Sequence, residues 1–520
     1  MERSRTVRRG WVLAAACLAA FAINLDTTIV NVALPSLTRE LHASTRDLQW
    51  VVDGYNLAFA ALVLAAGALG DRYGRRPALI TGLLGFAAAS GVGALCGDPG
   101  QLIAARVVMG GFAALIYPTT LSVITNAFPD RRERAKAIGV WGGVTGIGVA
   151  VGPVTGGLLL AHLSWPAVFV ALVPVALIAA LAAAVAVPES RDPAAPAVDR
   201  AGLALSTSFI ALLVYTVIEA PGHGWLAPST LLGWAGSVAL LVGFVSVERR
   251  ATEPMLDIRL FRDPRFSAAS ASVTVAFFAL FGFIFLITQY FQAVRGYGVL
   301  RAGVATLPVA GSIAVSSIIG AQLATRLGTR AVVTTGLLLF GTAFAWIAAA
   351  SGISTPYAEV ALQMVVMGTG LGLTSTPATE SILTVLPAAK AGVGSAVNDA
   401  TRELGGTLGV AVVGSIYSSL YLSRLGGGAV AQLPAPVAAL ARSSVGAGGA
   451  VAASVPGAQG PAVLQQVHAA FLTGLHVGCL VAAGVCWAGA ALAGRALPGR
   501  TATRAAVAAD RARDPVLAAA

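Results

Sequence analysis

The chain is 520 residues long, 57% hydrophobic and only 11% charged, with a formal net charge of +11. Soluble domains carry roughly 25% charged residues, so most of this chain cannot face water. With the N-terminus inside, 26 of the 34 basic residues fall in cytoplasmic segments, six in external loops and two within apolar runs, a bias that sets membrane topology and meets anionic lipid, and excludes a nucleic-acid footprint.

Apolar windows of the ~20 residues needed to cross a bilayer recur fourteen times. They are 11–35, 49–69, 78–96, 101–126, 136–160, 165–187, 201–219, 229–247, 267–291, 302–324, 331–350, 357–385, 392–421 and 466–493. The first follows Arg3, Arg5, Arg8 and Arg9 and has the outline of a signal peptide. Its length, its polar Asn24, Asp26 and Asn31, and the thirteen windows behind it favour an uncleaved helix. Asp26, in LDTTIVNVALP (25–35), is costly in hydrocarbon, where acids usually face a cavity, a partner or a proton path. It lies ~14 Å below Pro35, and Arg106 lies ~10 Å below its own outer helix end near Pro99, at ~1.5 Å per residue. Matched depth leaves two readings, a permanent ion pair or a proton-coupling site in which proton and substrate compete for the acid. The ease with which buried acids titrate favours proton coupling by Asp26 and Arg106.

Between the second and third windows stands GALGDRYGRR (67–76), with Asp71, Arg72, Arg75 and Arg76 set among Gly67, Gly70 and Gly74. A short basic turn of this kind is expected to face the cytoplasm, its glycines allowing a tight reversal and close helix contact. Residues 325–336 echo it. Arg72, Gly74, Arg76 and Gly82 align with Arg326, Gly328, Arg330 and Gly336 at a single offset of 254, with Thr325 where the first copy has Asp71. Weak symmetry of this sort marks parallel repeats. Six spans with short loops occupy only about 180 residues, so two extra spans, 201–219 and 229–247, are expected between the repeats. The predicted layout is a six-helix bundle over 1–190, two inserted helices over 191–250, a second bundle over 251–495 and a disordered cytoplasmic tail over 496–520. An Ala/Gly/Pro-rich external loop, 424–463, is expected to be mobile.

The fifth window holds Gly148, Gly152 and Gly156 at four-residue spacing, with Pro153 and Gly157. The stripe lets another helix approach closely, and the proline removes a hydrogen bond and bends the helix. In the thirteenth, Asn398, Asp399, Arg402 and Glu403 interrupt an apolar run. Asp399 and Arg402, three apart, are placed to pair on one face, either neutralising each other or contributing with Asn398, Asn24 and Asn31 to a substrate cavity. Asp53, Glu359 and Glu380 are expected at solvated helix ends, and His476 in the core. Trp11, Trp50, Trp141 and Trp165 are expected in an interfacial belt. Cys17, Cys96, Cys479 and Cys486 read as inert packing residues without metal-ligand spacing.

The turn GALGDRYGRR resembles the loop signature between spans two and three of the major facilitator superfamily, and GPVTGG in the fifth window resembles its antiporter signature. With LDTTIVNVALP, EPMLDIRLFRDPRF (253–266) and YFQAVRGYGVLRAGVATLP (290–308), the likeness over about 10–495 is to the fourteen-span drug:proton antiporters of the EmrB/QacA type. The resemblance implies an all-α membrane protein with the major facilitator fold, fourteen transmembrane helices arranged six, two and six, and alternating access. It also implies that Asp71 and the arginines around it latch their loop to the start of the thirteenth span, where a helix N-terminus attracts an anion. One departure is SWPAVFVALVP (164–174), with Pro166 and Leu172 where the family has Arg and Asn.

These readings favour a secondary exporter driven by inward proton flow, expelling an amphipathic or cationic compound. The alternatives are a dedicated exporter of one endogenous metabolite or antibiotic and, from another class, a non-transporting sensor. No Walker phosphate loop, metal cluster or nucleophile motif stands in the sequence, so neither ATP nor an enzyme reaction is expected, and the proton is the only coupling partner besides substrate and lipid. Arg outnumbers Lys 32 to 2, which points to a GC-rich bacterial genome. A monomer in the bacterial plasma membrane with both termini cytoplasmic is expected.

Overall fold

The computed structural model describes residues 2–128, 131–191, 199–251, 254, 258–385 and 391–499, and every regular element among them is helical. The first six helices are α1 (Glu2–Glu40), α2 (Thr45–Tyr73), α3 (Arg75–Gly93), α4 (Pro99–Ala127), α5 (Arg131–His162) and α6 (Pro166–Ala186). Next come α7 (Arg200–His223) and α8 (Pro228–Arg250). The chain continues through α9 (Pro264–Gln289), α10 (Val299–Ala305), α11 (Leu307–Leu327), α12 (Thr329–Ala350), α13 (Tyr357–Val385) and α14 (Ala391–Arg424). Three short helices, α15 (Gly428–Ala431), α16 (Ala435–Ser443) and α17 (Val445–Ser454), precede α18 (Gln459–Ala496).

Every apolar window but the tenth falls on one long helix, and among the described residues eleven helical runs are long and apolar enough to cross a membrane. Polar caps set their boundaries. Ser44 and Asp47 exchange hydrogen bonds in a capping box at the start of α2, while Asp98 and Asp263 cap α4 and α9 with a proline at the first turn. Pro166 likewise opens α6, and Leu172 is fully buried, so the departure from the family motif is absorbed without a break in the helix. The tenth window is not one straight helix: it breaks at Thr306, between α10 and α11.

The repeat seen in sequence is also a repeat in packing. In the first set α2 packs on α4, α1 on α5 and α6, and α3 on α4 and α6; in the second, α11 packs on α13, α9 on α14 and α18, and α12 on α13 and α18. Both turns follow one design. Gly74 (φ 123°) joins α2 to α3 and Gly328 (φ 89°) joins α11 to α12, each in backbone that strains a residue bearing Cβ. Arg76 then donates to the Ala184 carbonyl at the end of α6, as Arg330 donates to the Leu497 carbonyl (2.8 Å) beyond α18. Backbone bonds repeat as well, from Arg75 N to Ser190 O and from Arg330 N to Pro498 O.

The two sets meet along two related seams, α2 against α14 and α5 against α10. Helix α7 lies over the first seam, contacting both α2 and α14. There Val214, Val217, Ile218 and Ala411 form a buried apolar cluster flanked by Trp50. Ser415 Oγ donates to Val217 O (2.8 Å), and Arg46 pairs with Glu219 (2.9 Å).

Three expectations are corrected. Residues 424–463 are not a structureless mobile loop; α15–α17 fold back as a cap on α18. Tyr421 OH bonds the carbonyls of Ala441 and Ser444 at 3.0 Å, and Thr45 Oγ1 donates to Ser443 O (3.2 Å), tying the cap to α2. Alanine is the best helix former, and Gly448 permits close contact with Tyr421 and Val467, so a composition that reads as low complexity packs well. Trp141 and Trp165 do not sit in an interfacial belt. Both are buried, Trp141 donating to Thr120 Oγ1 (3.1 Å) and Trp165 packing edge-on against Phe169, because helix neighbours supply the apolar body and the polar partner. Asp53 is not solvated at a helix end; it is fully buried, and neither carboxylate oxygen has a hydrogen-bond partner. The expected tail lies outside the described residues beyond Gly499, as do residues 255–257 of the linker.

Candidate functional site

Asp26 and Arg106 meet in the middle of the first helix set. Arg106 Nη1 lies 2.8 and 2.7 Å from the two carboxylate oxygens, its Nε donates to Val51 O (3.0 Å), and its guanidinium stacks 4.2 Å from the Tyr55 ring centre. Neither residue is more than 1% exposed. A paired, hydrogen-bonded arrangement is the one in which buried charges are tolerated, since desolvation costs each ion several kcal/mol.

Helix α5 stands between α1 and the second set. A Cβ placed on Gly148 would lie 3.1 Å from Phe21 O, on Gly152 3.0 Å from Thr28 Cβ, and on Gly156 3.0 Å from Ile29 Cγ1, so the stripe serves the contact with α1. Gly157 faces the other way, where a Cβ would meet Leu300 Cα at 2.8 Å. Gly303 of α10 returns that contact, pressed onto the Pro153 carbonyl. The second set repeats the device: Gly405 and Gly409 of α14 sit against the α9 backbone at Thr274 and Phe278. Sequence reading missed this second stripe because charged residues dominate that stretch.

Beside Pro153 opens an apolar cavity, between α1 and α5 on one side and α9, α11 and α13 on the other. Asn31 and Thr28 line it from α1, Phe283 and Thr288 from α9, and Met364 from α13. Of the expected cavity residues only Asn31 belongs to this wall. Asn24 instead caps the Ala20 carbonyl (2.8 Å) within α1.

The remaining three sit on α14. Asn398 Oδ1 accepts from Thr379 Oγ1 (2.9 Å), and its amide reaches Asp399 Oδ1 (3.4 Å). The expected Asp399–Arg402 ion pair is not formed among the described residues. Asp399 Oδ2 has no partner, and the Arg402 guanidinium lies 4.5 Å from the centre of the Phe277 ring, near the Tyr117 hydroxyl of α4. Tyr117 also neighbours Asn24, so polar groups of both sets converge here. Glu403, within electrostatic reach of Arg402, Asp399 and Tyr55, is the residue that the sequence reading undervalued. Its spacing of four from Asp399 was the available signal.

Of the basic turn, Gly67 contacts Pro118, Gly70 lies against Thr119, Arg72 is exposed, and Arg75 and Arg76 are half-buried. The side chains of Asp71 and of the first residues of α14 lie outside the described ones, and with them the expected latch.

Helices that repeat pairwise about a shared cavity, with ionisable groups kept to their inner faces, are the architecture of a membrane transporter. The family is explicit in the match of residues 16–410 to the Major Facilitator Superfamily, to which the chain belongs. It is a family of transporters and not of enzymes, and the protein is a multi-pass membrane protein. Over 490 residues the chain is 35% identical to the multidrug efflux pump LfrA of Mycolicibacterium smegmatis, covering 94% of this chain and 96% of the relative. Over 500 residues it is 34% identical to the tetracenomycin C resistance and export protein of Streptomyces glaucescens, covering 93% and 91%. Among solved structures, the fold matches a bacterial homolog of the human lysosomal transporter Spinster in its inward-facing, unoccupied conformation, with TM-score 0.64 at 16% identity over 95% of this chain and 99% of that one. A D-xylose-proton symporter matches with TM-score 0.59 at 14% identity over 95% and 98%.

Proposed function

We propose that the protein is a proton-driven efflux pump for drugs or other amphipathic small molecules, working by alternating access. The observation that carries this reading is the Asp26–Arg106 pair: an acid held in the bundle, next to the helix that touches the second set, with a partner able to release it. Proton arrival at Asp26 from outside would free Arg106 and unlock α1 from α4. Proton release inside would restore the pair. All fourteen long helices cross the bilayer in this reading, arranged six, two and six, with both termini in the cytoplasm of a bacterial cell. The α1–α2 end then faces outward. There the halves are held by Gly157 on Leu300, Gly303 on Pro153, Gln292 to Val32 O (3.1 Å) and Gln49 to Ala411 O (3.2 Å). Toward the other end of α5, a Cβ on Gly142, Gly143 or Gly146 would meet nothing within 4 Å among the described residues, as expected of a cavity open to the cytoplasm.

Two relatives named for drug efflux and for export of tetracenomycin C support outward transport. The second also supports a narrower reading, dedicated export of one endogenous metabolite. Purified protein in liposomes with an imposed pH gradient tests the proposal. Substrate should move against the proton flow, and movement that ignores the gradient sinks proton coupling.

A further inference from the structure

The wall of the cavity beside Pro153 differs in kind from the rest of the polar interior. None of its described lining residues carries a charge. The acids that could receive a cation are placed elsewhere: Asp26 is occupied by Arg106, and Asp399 and Glu403 stand on α14, which contributes nothing to this wall. A charged guest would therefore enter an apolar space without a counter-ion, the arrangement that proteins pay most heavily to maintain.

Polar groups on the wall are few, and most are spent. Thr28 Oγ1 donates to Asn24 O (3.2 Å), and Thr306 Oγ1 donates to Gly303 O (2.7 Å). Asn31 is only 3% exposed, and its amide nitrogen donates to Thr27 O (2.8 Å). That bond fixes the side chain and leaves Oδ1 as an acceptor with no described protein donor. Across the seam, Thr288 is 2% exposed and its hydroxyl has no partner. The two are brought near each other by the Gln292–Val32 bond, which starts one turn beyond Thr288 and ends one residue from Asn31.

We infer that this cavity takes an uncharged, largely apolar compound bearing a hydroxyl or N–H group, which donates to Asn31 Oδ1 and is met from the second half by Thr288. A wall acceptor that loses its water to a guest without gaining a donor costs free energy, so Asn31 sets specificity. The inference rests on the export reading only for the direction of movement. It adds a consequence for energetics: exchanging a proton for a neutral molecule carries one positive charge inward per proton, so the membrane potential drives export as well as the pH gradient.

The test uses full-length protein and four small aromatic probes of similar volume: an alcohol, its methyl ether, a quaternary ammonium and a carboxylate. Binding is measured by probe fluorescence in nanodiscs and transport in liposomes. The alcohol is expected to bind at least about tenfold tighter than the other three, and Asn31→Leu to erase the difference between alcohol and ether. Thr288→Val, a smaller change, should lessen that difference. Potassium–valinomycin potentials at zero pH gradient should accelerate export of the alcohol. Equal binding of the ammonium and the alcohol overturns the inference, as does an unchanged alcohol-to-ether ratio in a folded Asn31→Leu protein. Selective binding of the alcohol without any gradient-driven movement instead refutes the export reading and leaves the inference standing.

Discussion

Replacing Asp26 by Leu strands Arg106. The guanidinium keeps the Val51 carbonyl at 3.0 Å and the Tyr55 ring at 4.2 Å. A hydrogen bond from a charged group contributes about 1.5–3 kcal/mol and a desolvated cation–π contact about 2 kcal/mol. Neither replaces the counter-charge that a 1%-exposed arginine needs. Breaking a buried pair from one side costs about 3–5 kcal/mol, roughly two to four decades in the folded-to-unfolded ratio. Arg106→Met should cost about as much, because it leaves the carboxylate bare. The double variant, which fills the space with apolar atoms, should recover most of the loss, since exchanging a whole buried pair for hydrophobic residues is often neutral or stabilising by about 1–4 kcal/mol. The assay is thermal unfolding of all four proteins in nanodiscs, with pH-gradient-driven efflux measured in parallel. The singles should melt early, the double should melt near wild type, and none of the three should pump. Losses that simply add in the double variant would show that the pair is not energetically coupled. A stable double variant that pumps at the wild-type rate would reduce the pair to a structural tie.

Gly303→Val places side-chain atoms on the Pro153 carbonyl, so in the proposed orientation the outer contact between halves should fail to close; labelling of Asn31→Cys by an impermeant thiol reagent from outside should rise at least about tenfold, and unchanged labelling removes this contact from the gate. Asp53→Asn retains the outline of a fully buried side chain whose carboxylate oxygens have no partner. Its melting temperature is expected to equal or exceed that of wild type, because an unpartnered buried carboxyl only costs stability, and a clear loss would reveal a partner for it. Tyr421→Phe deletes the hydroxyl that ties the cap to the carbonyls of Ala441 and Ser444. At about 1 kcal/mol for the bond, amide exchange of residues 428–456 should quicken roughly fivefold while that of α9 and α18 is unchanged, and uniform quickening would mean that the cap does not open separately. Asp71→Asn should slow turnover more than it weakens substrate binding, and equal loss of both counts against a latch.

Hydropathy located the helices because a bilayer-length apolar run has few other uses, and the 254-residue echo located the repeat because its turns need glycine and arginine at the same places. Gly74 and Gly328 both take left-handed backbone, and Arg76 and Arg330 both pin the end of the last helix in their set. Depth counting brought Asp26 and Arg106 together correctly, since helical rise is nearly constant. It failed for Asp53, because depth along a helix says nothing about which face is covered. Asp399 and Arg402 illustrate the same limit in another form. Their spacing permits a bond, but Phe277 and Tyr117, contributed by other helices, offer the guanidinium a different setting. Trp141 and Trp165 obey neighbours rather than depth, and the cap at 428–454 was hidden because alanine and glycine serve both disordered chain and tight helix contacts.

The near-twofold design is broken by α7, which closes the α2–α14 seam with a cluster of its own, while no counterpart lies over α5 and α10 among the described residues. The two flanks of the molecule therefore do not share one environment. If the halves rock as proposed, the first flank slides protein over protein, and the Ser415–Val217 tie must travel with it or part. In the proposed cycle the other flank would open and shut against acyl chains, with no described helix between, so bilayer thickness and fluidity would bear more on one hinge line than on its twin.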